Sequence, residues 1–530
     1  MRNAILAAGL AFALLGITDT PKDDGTAAPA GIAPTPVTLA AVIAAHRKAI
    51  GRLAPGALKT SVERWAIKTE GLEGTESYVE RDRDSRVDRT LGPLHTAYGT
   101  LAGRDWHQNE NGEVVVERGL HVIDDVSAHA LATLSKDVTL LGTVAKPVSA
   151  YVVKVAPKGG RLEYLYYDRS TYMIVRTERA RNGRRIVTAL DDFRTTAGLT
   201  EAWHYTTSDG RPENDGDYRM TSLDIGKPVD AALVAMPAAT SPVVFAKPRV
   251  SIPIRMAGDR IIVPTKIQGH TVDFQLDSGA SGVVLDSAVV DALALKLYGS
   301  SLGDTAGTYR QGSTIVPLIS IGDISLQNVE VQSAPFTEWV DEKTPVAGLM
   351  GFDFIDGAVL HIDYLDGTLE AIDPATFVPP AGARALPIAL DDDVPLVDVG
   401  IAKALGHLFI VDTGADNSAI FSNFVAAHPN DVTDRGLGDR MLAQFPFVSD
   451  FAGVGGTVDY RPLQVGPLTF AGYTFPKWMF NGTHDAPSFE GDDFEGLIGQ
   501  DMLRNFDVYL DYRHEKIWLI PNARYNARWG

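Results

Sequence analysis

Val272-Asp273-Phe274-Gln275-Leu276-Asp277-Ser278-Gly279-Ala280-Ser281 is written almost again, later in the chain, as Leu408-Phe409-Ile410-Val411-Asp412-Thr413-Gly414-Ala415-Asp416. In both copies a run of strand-forming residues ends in an acid, followed by a small hydroxyl residue and a glycine. Each run reads as a buried strand that delivers a carboxylate into a tight turn.

One Asp-Ser/Thr-Gly tripeptide carries little weight, because acids at strand ends followed by such residues often only make turns. The surroundings repeat as well. Downstream of the first copy lies Val346-Ala347-Gly348-Leu349-Met350-Gly351-Phe352-Asp353-Phe354, and downstream of the second lies Phe494-Glu495-Gly496-Leu497-Ile498-Gly499-Gln500-Asp501-Met502. From Gly351 to Asp363, and again from Gly499 to Asp511, is twelve residues. The second half of this region restates the first.

On these residues the segment from about Arg249 to the end resembles a two-lobed retropepsin-like or pepsin-like aspartic protease. Each lobe of that family brings one Asp-Thr/Ser-Gly and one apolar-apolar-Gly motif. Here the pairs are Asp277-Ser278-Gly279 with Leu349-Met350-Gly351, and Asp412-Thr413-Gly414 with Leu497-Ile498-Gly499. The resemblance implies a mainly β, bilobal barrel module with lobes at 249–380 and 381–530. It implies an endopeptidase acting on peptide or protein substrates without cofactor or metal, in which one chain suffices for a complete site. Asp277 and Asp412 would be catalytic. Ser278, Gly279, Thr413 and Gly414 would hold them, and Gly351 and Gly499 would pack beneath. A flap is expected near Gly307 and Tyr309 in the first lobe, and near Gly453 and Gly455 in the second.

The chemistry fits two acids. Like charges at hydrogen-bonding distance cannot both ionise, so one proton is shared, and the pair can serve as acid and base together. Two departures from the family pattern stand out. Ser278 replaces the commoner Thr and keeps the hydroxyl, whereas Asp416 stands where Ser or Thr is usual and adds a negative charge near the pair.

With Lys+Arg 48 against Asp+Glu 67, the formal charge of −19 argues against nucleic acid as a partner. The Arg179, Arg181, Arg184 and Arg185 cluster around Asn182-Gly183 reads as a solvated hairpin. Cysteine is absent, which removes disulfides and thiol chemistry. The histidines lack metal-ligand spacing. Asp391-Asp392-Asp393 and Glu490-Gly491-Asp492-Asp493 lack the spaced oxygens of a calcium loop and read as solvated turns.

Residues 4–17 are small or apolar and uncharged, which fits the core of a secretory signal peptide over 1–20. The expectation is an exported protein, periplasmic or secreted, with an uncleaved membrane tether as the alternative. Residues 21–37 read as a flexible leader. Thr38 can cap a helix bearing Leu39, Val42, Ile43 and Ile50 on one face, ended by Gly51.

Residues 38–237 form a β-rich accessory domain with α+β content. Runs such as Ala150–Val155, Leu162–Asp168 and Tyr172–Arg176 suit a curved antiparallel sheet. The phrases Tyr167-Asp168-Arg169-Ser170-Thr171 and Asp191–Leu199 resemble the lipoprotein-carrier type of open barrel, which implies room for an apolar ligand. A proline-bounded linker is expected over 238–248. A non-hydrolytic peptide- or lipid-binding protein on a protease scaffold remains the alternative; it predicts a damaged pair of acids.

Overall fold

A computed structural model describes residues 27–53, 58–117, 122–158, 160–181, 184–258, 260–304, 308–335, 346–432, 450–453, 456–483 and 494–529. The chain is mainly β. The apolar stretch at 4–17 and the acidic run at 490–493 lie outside the described residues, and among the described ones no helix is long and apolar enough to cross a membrane.

Thirteen strands between Thr60 and Ile225 make one antiparallel sheet. It consists of two meanders, Thr60–Val116 and Val138–Ile225, joined where the last strand, Gly216–Ile225, returns beside the first, Thr60–Thr69, with Trp65 opposite Met220 and Ile67 opposite Tyr218. Period-2 alternation puts one set of side chains inside. The helix Leu39–Ala49 starts where Thr38 Oγ1 accepts the Ala41 N–H at 3.2 Å, and ends before Gly51, whose φ of +73° only glycine adopts freely. Its Val42 and Ile43 bury against Val153, Leu165 and Tyr167, alongside Ala130 of the helix Val122–Thr133. Each such side chain contributes about 1.5–3 kcal/mol on burial.

Described residues within two stretches expected to be loose make backbone pairings. Ala33, in the predicted leader, exchanges both backbone hydrogen bonds with Thr143 at 2.8 Å. Val243–Phe245, in the predicted linker, is a strand paired antiparallel with Ile324–Leu326. The flanking prolines masked a short Val-Val-Phe run whose side chains suit a sheet.

Among the described residues the duplicated half builds three sheets. A nine-stranded sheet belongs to the first lobe and a ten-stranded sheet to the second. The third has six strands, three from each lobe: Arg249–Ile252, Thr368–Ile372 and Val359–Asp363, then Phe506–Asp511, Lys516–Pro521 and Arg384–Pro387. At its centre the two sequence repeats meet, with Leu360 opposite Leu510 and Ile362 opposite Val508. One continuous apolar core runs from Val250 to Leu519 through both lobes, and Val115 of the N-terminal sheet plugs into it.

Candidate active site

Each acid arrives on a hairpin. Arg260–Ile267 turns through Gln268 and Gly269, at φ +51° and +83°, into His270–Leu276; Val394–Ile401 turns into Ala404–Val411. The delivering strands then pair in parallel with the apolar-apolar-Gly segments: Phe274–Leu276 with Gly348–Met350, and Phe409–Val411 with Gly496–Ile498. The backbone N–H of Asp277 is fixed to the Met350 carbonyl at 3.1 Å and that of Asp412 to Ile498 at 2.9 Å. The two lobes therefore present the same turn.

Those turns meet. Ser278 N–H donates to Thr413 Oγ1 at 3.0 Å and Thr413 N–H to Ser278 Oγ at 2.9 Å. The hydroxyls in turn donate to the strand feeding the opposite turn, Ser278 Oγ to Val411 O at 2.7 Å and Thr413 Oγ1 to Leu276 O at 3.2 Å. Both residues are buried, so each polar atom depends on its partner across the interface.

The glycines make the approach possible. A Cβ on Gly279 would lie 2.8 Å from Asp412 Cγ, and one on Gly414 would lie 2.4 Å from Asp277 Cγ. Gly351 sits against the Ala280 and Gly282 carbonyls, and Gly499 against Ala415 and Asn417, each beneath its own acid turn.

Asp277 and Asp412 are half-buried and hydrogen-bonded to each other. Removal from water, then the Asp412 charge, hold the Asp277 carboxyl well above the usual carboxylate range. Asp412 is also raised, by burial first, while the N–H groups of Gly414 at 2.7 Å and Ala415 at 3.0 Å pull the other way and the Asp416 charge adds to the rise. One proton shared between two carboxyls is what this arrangement favours.

Sequence reasoning missed three supports. Gln275 Nε2 donates across the interface to Gly414 O at 2.8 Å, and Gln500 Nε2 to Thr413 O at 2.6 Å. Tyr512 Oη reaches Ser278 O at 3.4 Å from below. The repeat places Ile410 opposite Gln275 and Phe352 opposite Gln500 in the other lobe, so a glutamine inside an otherwise apolar, buried run was the available signal.

The flap candidates separate. Tyr309 lies on the strand Thr308–Ile321 and is buried with Ala334, between Val284 and Leu349. Gly453 pairs with Gly456 at the end of the hairpin formed by Asp450–Gly453 and Gly456–Val465. Gly307 and Gly455 lie outside the described residues.

Asp391-Asp392-Asp393 is not a solvated turn throughout. Asp392 and Asp393 take φ of +45° and +62° in the tight connection to Val394–Ile401, and Asp393 is buried, accepting from His107 Nε2 of the N-terminal sheet at 2.8 Å. A left-handed turn aims the third acid inward, which local charge density cannot reveal.

Residues 263–354 match the family model described as aspartyl protease, a segment that holds the first acid turn and the first apolar-apolar-Gly motif. That part of the chain is aspartic-protease-like. No curated protein matches the chain. Among solved structures it is similar to Basic 7S globulin from soybean, at 9% identity and TM-score 0.33 over 53% of this chain and 96% of that one. It is also similar to a LolA superfamily protein from Nitrosomonas europaea, at 10% identity and TM-score 0.27 over 38% of this chain and 98% of that one.

Proposed function

We propose that the chain is an exported aspartic endopeptidase whose catalytic residues are Asp277 and Asp412. The observation that carries this reading is the reciprocal grip of Ser278 and Thr413, which brings two acid turns from separate lobes into hydrogen-bonding contact. Nothing in a merely structural turn requires that meeting.

The ionised carboxyl of the pair takes a proton from a water molecule, whose oxygen attacks the scissile carbonyl carbon. The protonated carboxyl donates to the carbonyl oxygen, giving a neutral tetrahedral diol. Collapse delivers the pair's proton to the amide nitrogen as the C–N bond breaks, while a diol hydroxyl gives its proton back to the pair as the carbonyl re-forms. An extended peptide would gain sequence-independent main-chain hydrogen bonds from the adjoining strands. Export is supported by the apolar residues 4–17.

The test is cleavage of a denatured protein mixture, from acidic to neutral pH, by wild type, Asp277→Asn and Asp412→Asn, with and without a statine-type inhibitor. Wild type should cut and be inhibited, and both variants should be silent. Equal cutting by all three would remove the assignment.

A further inference from the structure

The outer strand of the first-lobe hairpin, Leu297–Asp304, is the edge of the nine-stranded sheet. Its inner side pairs with Thr308–Ile321, Leu302 opposite Arg310 and Asp304 opposite Thr308. Its outer side would present bare N–H and C=O groups, as any edge does. The N-terminal sheet covers that side at two points.

At the first point, Asn214 imitates a neighbouring strand with its side chain: Leu302 N–H donates to Asn214 Oδ1 at 2.8 Å, and Asn214 Nδ2 donates to Leu302 O at 2.9 Å. The amide's orientation is fixed by a further bond from Nδ2 to Asp209 Oδ2 at 3.0 Å. The adjacent Glu213 reaches Arg310 on the other strand of the same hairpin. At the second point, Ser300 N–H donates to Glu70 O at 2.7 Å. Ser300 is turned outward by an irregularity in register between Tyr298 and Ser301, and Gly299 there has φ +69° with a Cβ position only 3.0 Å from Glu70 O. Glu70 and Gly71, at φ +54° and +71°, form the hairpin turn that presents this carbonyl.

The same device recurs at the base of the lobe. Glu330 N–H donates to Asn111 Oδ1 at 2.7 Å and Asn111 Nδ2 donates to Glu330 O at 3.2 Å and to Asp353 Oδ1 at 2.6 Å. Glu330 lies on Ile324–Ala334 in the gap between its pairing with Val243–Phe245 and its pairing with Val283–Asp286. One asparagine thus anchors the base, and the other holds the hairpin.

We propose that the N-terminal sheet is a strap on the first-lobe hairpin, in which Asn214 and the Glu70 turn hold Leu297–Asp304 in position, so that the hairpin's order comes from the N-terminal domain and not from bound substrate. The consequence for substrate rests on the peptidase reading above. A hairpin ordered beforehand lowers the entropy lost when peptide binds.

The experiment uses the full chain. Hydrogen exchange is followed over 297–304 in wild type, in Asn214→Ala, which removes both bonds, and in Asn214→Asp, which keeps the acceptor for Leu302 N–H. Exchange should accelerate about tenfold in Asn214→Ala and less in Asn214→Asp, with protection over the core strand Phe506–Asp511 unchanged, which shows that the fold is intact. On a peptide substrate, KM should rise about fivefold in Asn214→Ala with kcat nearly constant. Unchanged exchange at 297–304 overturns the strap. Faster exchange with unchanged KM overturns its role in binding. If wild type cleaves nothing, the peptidase reading fails by itself, and the exchange data still decide the strap.

Discussion

Ser278 and Thr413 each accept the other's backbone N–H and donate to the strand that feeds the other's turn. The two lobes are thereby locked through four buried hydrogen bonds directly behind the acids. Truncating one hydroxyl strands a buried N–H and a buried carbonyl, which costs about 1–3 kcal/mol. Ser278→Ala and Thr413→Val should each lose that much in urea unfolding, whereas Thr413→Ser should lose far less. Because both variants break one network, the double variant should cost clearly less than the sum.

Gly279 and Gly414 leave space for the opposite carboxyl and nothing more. Gly414→Ala would set a Cβ 2.4 Å from Asp277 Cγ, and Gly279→Ala one 2.8 Å from Asp412 Cγ. Either change should push the carboxyls apart and lower kcat at least about a hundredfold, since general acid–base catalysis depends on their contact. Gly414→Ala should be the worse. Equal activity of both variants with wild type would contradict the shared-proton geometry.

The charge on Asp416 raises the proton affinity of Asp412. Asp416→Ser should therefore move the alkaline limb of the pH–rate profile to lower pH, because the pair then gives up its proton more readily. The shift should shrink at high salt, since Asp416 is exposed and screened. A profile that does not move at low salt would show that Asp416 is electrically remote from the pair.

Stability should report the same pair. Asp277 binds its proton more tightly in the folded chain than in the unfolded one, where an aspartate titrates near about 4. Its contribution is thus fully present below about pH 4 and is lost as pH rises through the raised folded value. Asp277→Asn should match wild type in Tm near pH 4 and exceed it near pH 7, while kcat falls at least about a thousandfold. Thermal unfolding at the two pH values checks the sign.

How much of this was legible follows from what repeats. The acid turns, their strands and the apolar-apolar-Gly segments recur in order, so a buried strand ending in a tight turn could be read twice. Gln275 and Gln500 do not recur, since Ile410 and Phe352 stand at the equivalent places, and although Tyr512 recurs as Tyr364, a repeated tyrosine does not reveal which carbonyl it reaches. The docking of the N-terminal sheet was not legible either. Asn111 and Asn214 are single residues in turns, and what they satisfy are backbone groups of strands distant in sequence, which no periodicity encodes. Val243–Phe245 was obscured by the opposite effect, since proline composition outweighed three strand-forming residues.

His107 is the point where the N-terminal sheet reaches the second lobe, with Nε2 on Asp393 at 2.8 Å and Nδ1 on Glu117 at 3.2 Å. Burial disfavours its charge, but the Asp393 and Glu117 carboxylates outweigh burial and hold its pKa well above the ordinary histidine value. The stability it contributes is fully present below about pH 6.5, its unfolded value, and is lost as pH rises through the folded value. His107→Gln should cost about 3 kcal/mol at pH 6, because it leaves two carboxylates facing each other without a cation. The gap between wild type and variant should narrow as pH is raised. Denaturant unfolding across pH 6–10 measures it, and a gap that is constant or widens with pH would mean that His107 is neutral in the folded chain.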